Sequence, residues 1–292
     1  MKYAISNWIY GDEPIEETFL RLQAHGYEGI ELVGEPDRYN VSEIKRYCDI
    51  YNIRVSSILS WCLTDIPGRD AAHPDKAIRK QAVDYLKYCI DLAVSVGAPI
   101  VVVLPAPAGR LAPVGGALTE SEWDKTYRTE WENAVNSIRE AANYASTKSI
   151  TLAIEPLNRY ESFLVTNLTQ AKKFIIDVSV DNLKIHLDTF HMNIEENDLA
   201  KIILDAGDLL VNMHVSDSNR ETAGRGHTDF RRILESLRKI PYQGYLVLEP
   251  VPPGSNPSFD SSRNSALRLR EIYAKEGIDF LRKIEVEIED EN

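Results

Sequence analysis

From residue 150 onward the chain repeats one unit, a short apolar run followed by a longer stretch with apolar residues at helical spacing. Expected strands at 150–156, 183–189, 209–216 and 244–250 alternate with expected helices at 167–178, 195–206, 229–239 and 261–284. Strands separated by helices have to run parallel and be joined by right-handed crossovers. The same order extends back to the N-terminus, with strands at 2–8, 28–33, 53–59 and 100–104 and helices at 14–25, 41–51, about 78–96 and 119–145. Gly26 and Gly97 read as helix stops, Ser42 as a cap, and Thr119 with Glu122 has capping-box spacing. Ile100 to Leu104 is an unbroken apolar run between Pro99 and Pro105, as a strand covered on both faces would be.

Counted through, the chain has eight strand-then-helix units, which makes it α/β and predicts a (β/α)₈ TIM barrel. Such a barrel needs about 250 residues, and 292 are present. The competing doubly wound sheet is disfavoured because polar residues gather at strand C-termini, where barrels build their sites. The glycine-rich dinucleotide fingerprint is also missing after the first strand. No linker or charge block interrupts the pattern, so residues 1–292 read as one domain, with the acidic stretch 285–292 expected to be a frayed tail.

A formal net charge of −12 argues against nucleic acid as a partner, because phosphate backbones are held by clustered Lys and Arg. The three cysteines, Cys48, Cys62 and Cys89, are odd in number and lack CxxC spacing, so no full disulfide framework is expected. Cys48 and Cys89 fall in helical apolar patterns and read as buried thiols. The N-terminus has no signal-peptide core, and no apolar run approaches the roughly 18 residues of a membrane span. These features predict a cytoplasmic protein without a membrane partner.

Within the strands, residues alternate between two faces. In Leu152–Pro156, Lys184–Asp188, Val211–Val215 and Leu246–Pro250 the apolar residues share one face, and a carboxylate or imidazole ends the other. Four strands thus each offer one donor near the C-terminal end: Glu155, Asp188, His214 and Glu249. Taken singly each is a weak signal, since a Glu before Pro commonly just opens a loop. Together they would be neighbours on a barrel rim, where three partly desolvated carboxylates repel unless a cation neutralises them. An oxygen-rich set with one imidazole suits Mn²⁺, Mg²⁺ or Co²⁺ better than a structural zinc.

The motifs Ile154–Glu161 (IEPLNRYE), His186–Glu196 (HLDTFHMNIEE) and His214–Arg220 (HVSDSNR) resemble those of ketose 3-epimerases of the D-tagatose/D-allulose type, in the xylose-isomerase-like barrel superfamily. The resemblance is sharpest from about 150 to 250, and the strand–helix order agrees throughout. It implies one divalent metal ion, foremost Mn²⁺, on Glu155, Asp188, His214 and Glu249. It further implies that Glu155 and Glu249 are the acid/base pair on opposite faces of the sugar. Glu161, His191 and Arg220 match residues that hold the substrate's reacting end, and Trp8, Trp61 and Glu31 are candidates for the pocket wall or its support. Family members are commonly dimers or tetramers, so a homo-oligomer is expected.

The implied reaction is chemically coherent. A proton next to a ketone is too weakly acidic for a free carboxylate, so a metal Lewis acid would stabilise the developing enediolate. One Glu would remove the C3 proton and the other return one on the opposite face, which requires two carboxylates with separated pKa values. No dedicated phosphate site is evident, favouring a free sugar. An aldose–ketose isomerase or inosose dehydratase could share the metal and carboxylates; Glu161 with Arg220 favours C3 epimerisation. A DNA-repair endonuclease would need a basic groove and more than the six His present. The loops 60–74 and 106–118 are expected near the pocket, and His227 is expected to be structural or to support the site.

Overall fold

A computed structural model describes residues 1–115, 119–253 and 264–291. The eight strands are β1 (Lys2–Ser6), β2 (Gly29–Val33), β3 (Arg54–Leu59), β4 (Ile100–Val103), β5 (Thr151–Ile154), β6 (Leu183–Asp188), β7 (Leu210–Val215) and β8 (Tyr245–Leu248). They follow one another around a closed parallel barrel, sealed where Tyr3 pairs with Leu246 and Ile5 with Leu248. Around it run α1 (Ile15–His25), α2 (Val41–Tyr51), α3 (Lys76–Val96), α4 (Glu120–Thr147), α5 (Leu168–Val178), α6 (Thr189–Glu195), α7 (Leu199–Ala206), α8 (Phe230–Lys239) and α9 (Asn264–Asp290). Their inner faces and the outer faces of the strands form the main apolar core. Among the described residues no helix is long and apolar enough to cross a membrane.

Local chemistry explains most boundaries. Gly26 and Gly97 end α1 and α3 in the left-handed conformation, at φ +75° and +79°, which glycine adopts without a Cβ penalty. The capping box at Thr119 and Glu122 forms as expected. Four readings change. The cap of α2 is Asn40, whose side chain accepts from the Ser42 and Glu43 amides, so Ser42 is the second helical residue. β1 stops at Ser6 because residues 7–10 close into a 3₁₀ turn that carries Trp8. The helix expected at 195–206 begins at Leu199, and an unforeseen short helix precedes it, because Asp188 accepts from the Phe190 amide at 2.8 Å and starts α6 directly at the strand end.

The fourth change concerns the acidic end. It is no frayed tail: α9 runs to Asp290, with Ile284 and Ile288 buried. Glu285 accepts a hydrogen bond from the Tyr3 hydroxyl at 2.6 Å, tying α9 to β1. Ile284 and Ile288 are four residues apart, one helical turn, and the flanking glutamates masked that spacing in the sequence. Residues 116–118 of the expected loop, and 261–263 of the expected last helix, lie outside the described residues.

Because Ile288 is 4% exposed, Ile288→Ala should cost about 2 kcal/mol or more, as large-to-small core substitutions do. Urea denaturation measures this directly; a loss under about 0.5 kcal/mol, the surface norm, would mean that the end of α9 does not pack in solution.

Candidate active site

The barrel interior turns polar toward its C-terminal mouth. Glu31, Ser57, His186 and Asn212 are wholly buried, and three of them meet across the barrel: Ser57 donates to Glu31 at 2.7 Å and Asn212 to Ser57 at 3.3 Å. One level up, Asp188 lies opposite His214 in the β6–β7 register. Glu155 and Glu249 directly follow β5 and β8, and both are buried.

His214 is the hub. Its Nε2 lies 2.8 Å from Glu31, and its Nδ1 lies 3.3 Å from Glu155 and 3.1 Å from Glu249. Burial opposes charge on the imidazole, yet Glu249, Glu31 and Glu155 outweigh it and hold the ring protonated well above its ordinary range. Burial would likewise raise Glu31, but His214 and the Ser57 hydroxyl hold it below the usual carboxylate range. Arg220 is the second bridge, 2.5 Å from Asp188 and 3.1 Å from Glu249. Against the effect of burial, Arg220, His191 and His214 keep Asp188 low. Glu249 goes the other way: burial pushes it to about 8 despite His214 and Arg220.

Arg220 sits at φ +64°, a conformation that costs a non-glycine residue free energy. The turn that holds it is wound around Asp217, which accepts from the amides of Ser218, Gly224 and Thr228 at 2.7, 2.9 and 3.0 Å. The Val251 amide donates to the Arg220 carbonyl at 2.7 Å, and Phe190 lies under the guanidinium, 4.8 Å away. His191 is oriented by Asn158, whose backbone amide donates to Nδ1 at 3.2 Å. That assigns the proton to Nε2, which lies 3.6 Å from Asp188 and 3.9 Å from Glu155. The Asn158 side chain also donates to Glu161 at 3.1 Å.

Above this floor a cavity of about 740 Å³ is lined by Glu155, Glu161, His191, His214, Arg220 and Glu249, with Trp8 and Trp61 along one wall. The two indoles lie 5.7 Å apart, and Trp8 Nε1 donates to Glu249 at 2.6 Å. Asp188 does not line the cavity; it lies beneath. Three loops form the rim and are stitched together: the Thr64 amide donates to Ala108 at 3.1 Å and the Gly109 amide to Glu161 at 2.8 Å. Arg110 anchors them to α4 through Glu130 at 2.5 Å.

A cation could be held in three overlapping ways: by Glu155, Asp188 and His191; by Glu31, His214 and Glu249; or by Glu155, His186 and His214. The four donors foreseen from the sequence are therefore brought together, but through Arg220 and His214 as bridges, and with Glu31 and His191 among them.

The family model of the xylose isomerase-like TIM barrel matches residues 19–284. The chain is 32% identical over 229 residues to an L-ribulose 3-epimerase of Methylomonas sp. strain DH-1, covering 77% of this chain and 74% of that enzyme. It is 34% identical over 184 residues to a D-psicose 3-epimerase of Ruminiclostridium cellulolyticum, covering 59% of this chain and 62% of the relative. The chain belongs to the ketose 3-epimerases. Its barrel superimposes on the crystal structure of the Clostridium cellulolyticum H10 D-psicose 3-epimerase with D-tagatose at a TM-score of 0.83, with 24% identity and 97% and 99% of the two chains covered.

In this member of the epimerase family, sequence reasoning missed Asn158 and Asp217, which touch the cavity residues from behind, and Phe190, which lines the cavity under Arg220; none carries a strand-end signature. Glu31 proves to support His214, whereas His227 is exposed, with its amide donating to Ser218 and no place beside the cavity floor.

Glu249 keeps its proton in the fold up to about pH 8, whereas its ordinary value is 4.5. Between these values the folded metal-free chain binds more protons than the unfolded one, so its stability falls as pH rises. His214, also raised, adds the same sign above its ordinary value of 6.5. Urea midpoints of the metal-free protein should decline between about pH 5 and about pH 9, and Glu249→Gln should flatten that decline. A midpoint that climbs across the range would contradict the assignment.

Proposed function

We propose that this chain catalyses metal-dependent epimerisation at C3 of a free ketose, a ketohexose or ketopentose, with Glu155 and Glu249 as the acid/base pair. The observation that carries this reading is the pairing of Glu155 and Glu249. Both are buried at the wall of one cavity, and both reach the same His214 nitrogen from different strands, at 3.3 and 3.1 Å. The family named above supports it, since its relatives are epimerases of D-psicose and L-ribulose.

The donor set fits a divalent ion. Glu31, Glu155, Asp188 and Glu249 share a buried space in which, among the described residues, His214 and Arg220 are their cationic partners, and a divalent ion would neutralise the carboxylates further. Glu155, Asp188, His214 and Glu249 would hold the ion, with Mn²⁺ favoured and Co²⁺ or Mg²⁺ as alternatives. Bound there, it would supply Lewis-acid stabilisation of the negative charge that builds on the ketose.

The remaining work falls to the side chains. Glu155 and Glu249 line the cavity from different strands, so in one direction Glu155 breaks the C3–H bond and Glu249 protonates C3 from the other face. The roles reverse for the other epimer. Arg220 and the Nε2 proton of His191 would orient substrate oxygens, and Glu161 would accept from a hydroxyl. Trp8 fixes Glu249 by its indole N–H, and Trp61 closes the apolar wall.

Proton and carbon NMR in D₂O with D-fructose, D-tagatose or D-ribulose tests the reaction. Metal-loaded protein should place deuterium at C3 and accumulate the C3 epimer, and chelator should stop both. Deuterium at C1 or C2 with an aldose product would assign an isomerase instead, and no exchange with any of the three would exclude this substrate class. Glu249→Gln should lower kcat by about 10³-fold, within the 10²–10⁴ typical of one proton-transfer group, while metal remains bound. Glu31→Gln should weaken metal binding by about 10–100-fold, as loss of a group that orients a ligating imidazole does; calorimetric titration reads this, and unchanged affinity would remove Glu31 from that role.

A further inference from the structure

We propose that His186 is a further metal-ligating residue, supplying a second imidazole nitrogen to the ion held by Glu155 and His214. The proposal rests on the metal-dependent reading above and adds a donor to it. His186 is wholly buried on β6, two residues before Asp188. Among the described residues, neither of its ring nitrogens has a hydrogen-bond partner. An imidazole taken out of water with both nitrogens unpaired loses hydration without a hydrogen bond to replace it. A leucine would fill the position without that loss, so the ring calls for a partner that is neither a side chain nor the backbone of this fold.

Its surroundings say which partner. The His186 ring packs edge-on against the ring of His214, with centroids 4.0 Å apart. Ile154 pairs with Ile185 across β5 and β6, so Glu155 and His186 emerge at the same level on adjoining strands. One ligand atom from each of Glu155, His186 and His214 lies within 4.8 Å of the other two, the spacing of donors around a single ion. Two of those three residues are already the proposed ligands, so His186 would be a further donor to the same ion.

A second imidazole changes which ion the site prefers. Nitrogen donors favour the later first-row ions, whereas oxygen donors and water suit Mg²⁺ and Mn²⁺. With His186 ligating, the site should favour Co²⁺ over Mg²⁺ more strongly than a three-carboxylate, one-imidazole set would.

The test uses the full-length protein stripped of metal, together with His186→Leu and His186→Gln. Pulsed electron paramagnetic resonance of the Mn²⁺-loaded wild type should detect two coupled imidazole nitrogens, falling to one in His186→Leu. Calorimetric titration with Co²⁺ and with Mg²⁺ should show the affinity ratio falling by about tenfold or more in both variants, the scale on which groups around a metal site act. One coupled imidazole in the wild type overturns the proposal and leaves the metal-dependent reading intact, and this result does not depend on any variant folding. Failure of the wild type to bind either ion overturns both. An unchanged ratio in folded variants also overturns the role of His186.

Discussion

Packing several carboxylates into one buried space is the interaction on which the rest of this barrel depends. Two such charges about 4 Å apart repel by about 4 kcal/mol at an effective dielectric near 20, and burial adds a desolvation cost for each. The fold offsets this by interleaving charge of the opposite sign. His214 stands between Glu31, Glu155 and Glu249, and Arg220 between Asp188 and Glu249. Glu249, whose cationic partners do not offset its burial, responds by keeping its proton. The result is a set of chemically similar groups with separated affinities for protons, which is what a reaction that takes a proton on one side and gives it on the other requires.

Much of the surrounding structure can be understood as support for that arrangement. Arg220 is useful only where it can reach both carboxylates, and it gets there through a left-handed backbone conformation that the Asp217-centred turn holds in place. His191 is fixed by Asn158, and Asn158 also holds Glu161, so one amide sets two cavity residues. The rim loops do not hang free. The Thr64–Ala108 and Gly109–Glu161 bonds tie three of them into one collar, and Arg110 fastens the collar to α4. Such bracing matters because small misplacements of reacting groups cost large factors in rate.

Barrel geometry supplies the convergence. Each strand contributes its last inward residue to one rim, and the loops after the strands add the walls. The abrupt start of α6 at Asp188 shows how local and global requirements coincide. The carboxylate that caps the helix with one oxygen meets Arg220 with the other. Trp8 makes a similar double use of the 3₁₀ turn after β1, reaching from the first strand to Glu249 at the end of the last.

Periodicity in the sequence determined the parallel barrel, because alternating apolar strands and amphipathic helices leave few other ways to bury both faces of a sheet. It also determined the strand-end positions of Glu155, Asp188, His214 and Glu249, since a two-residue repeat assigns each side chain to a face. Where periodicity was diluted by charge, as in the glutamate-flanked Ile284 and Ile288, the sequence misled, and packing against the barrel decided the helix. Only the tertiary structure decided what those strand ends do to one another. Which cation bridges which carboxylate, that Glu31 lies beneath His214, that Asp217 and Asn158 support the cavity from behind, and that His186 finds no hydrogen-bond partner among the described residues all depend on distances between residues far apart in the chain. No local pattern encodes such distances, because electrostatic coupling and desolvation act through space and are set by the closed barrel.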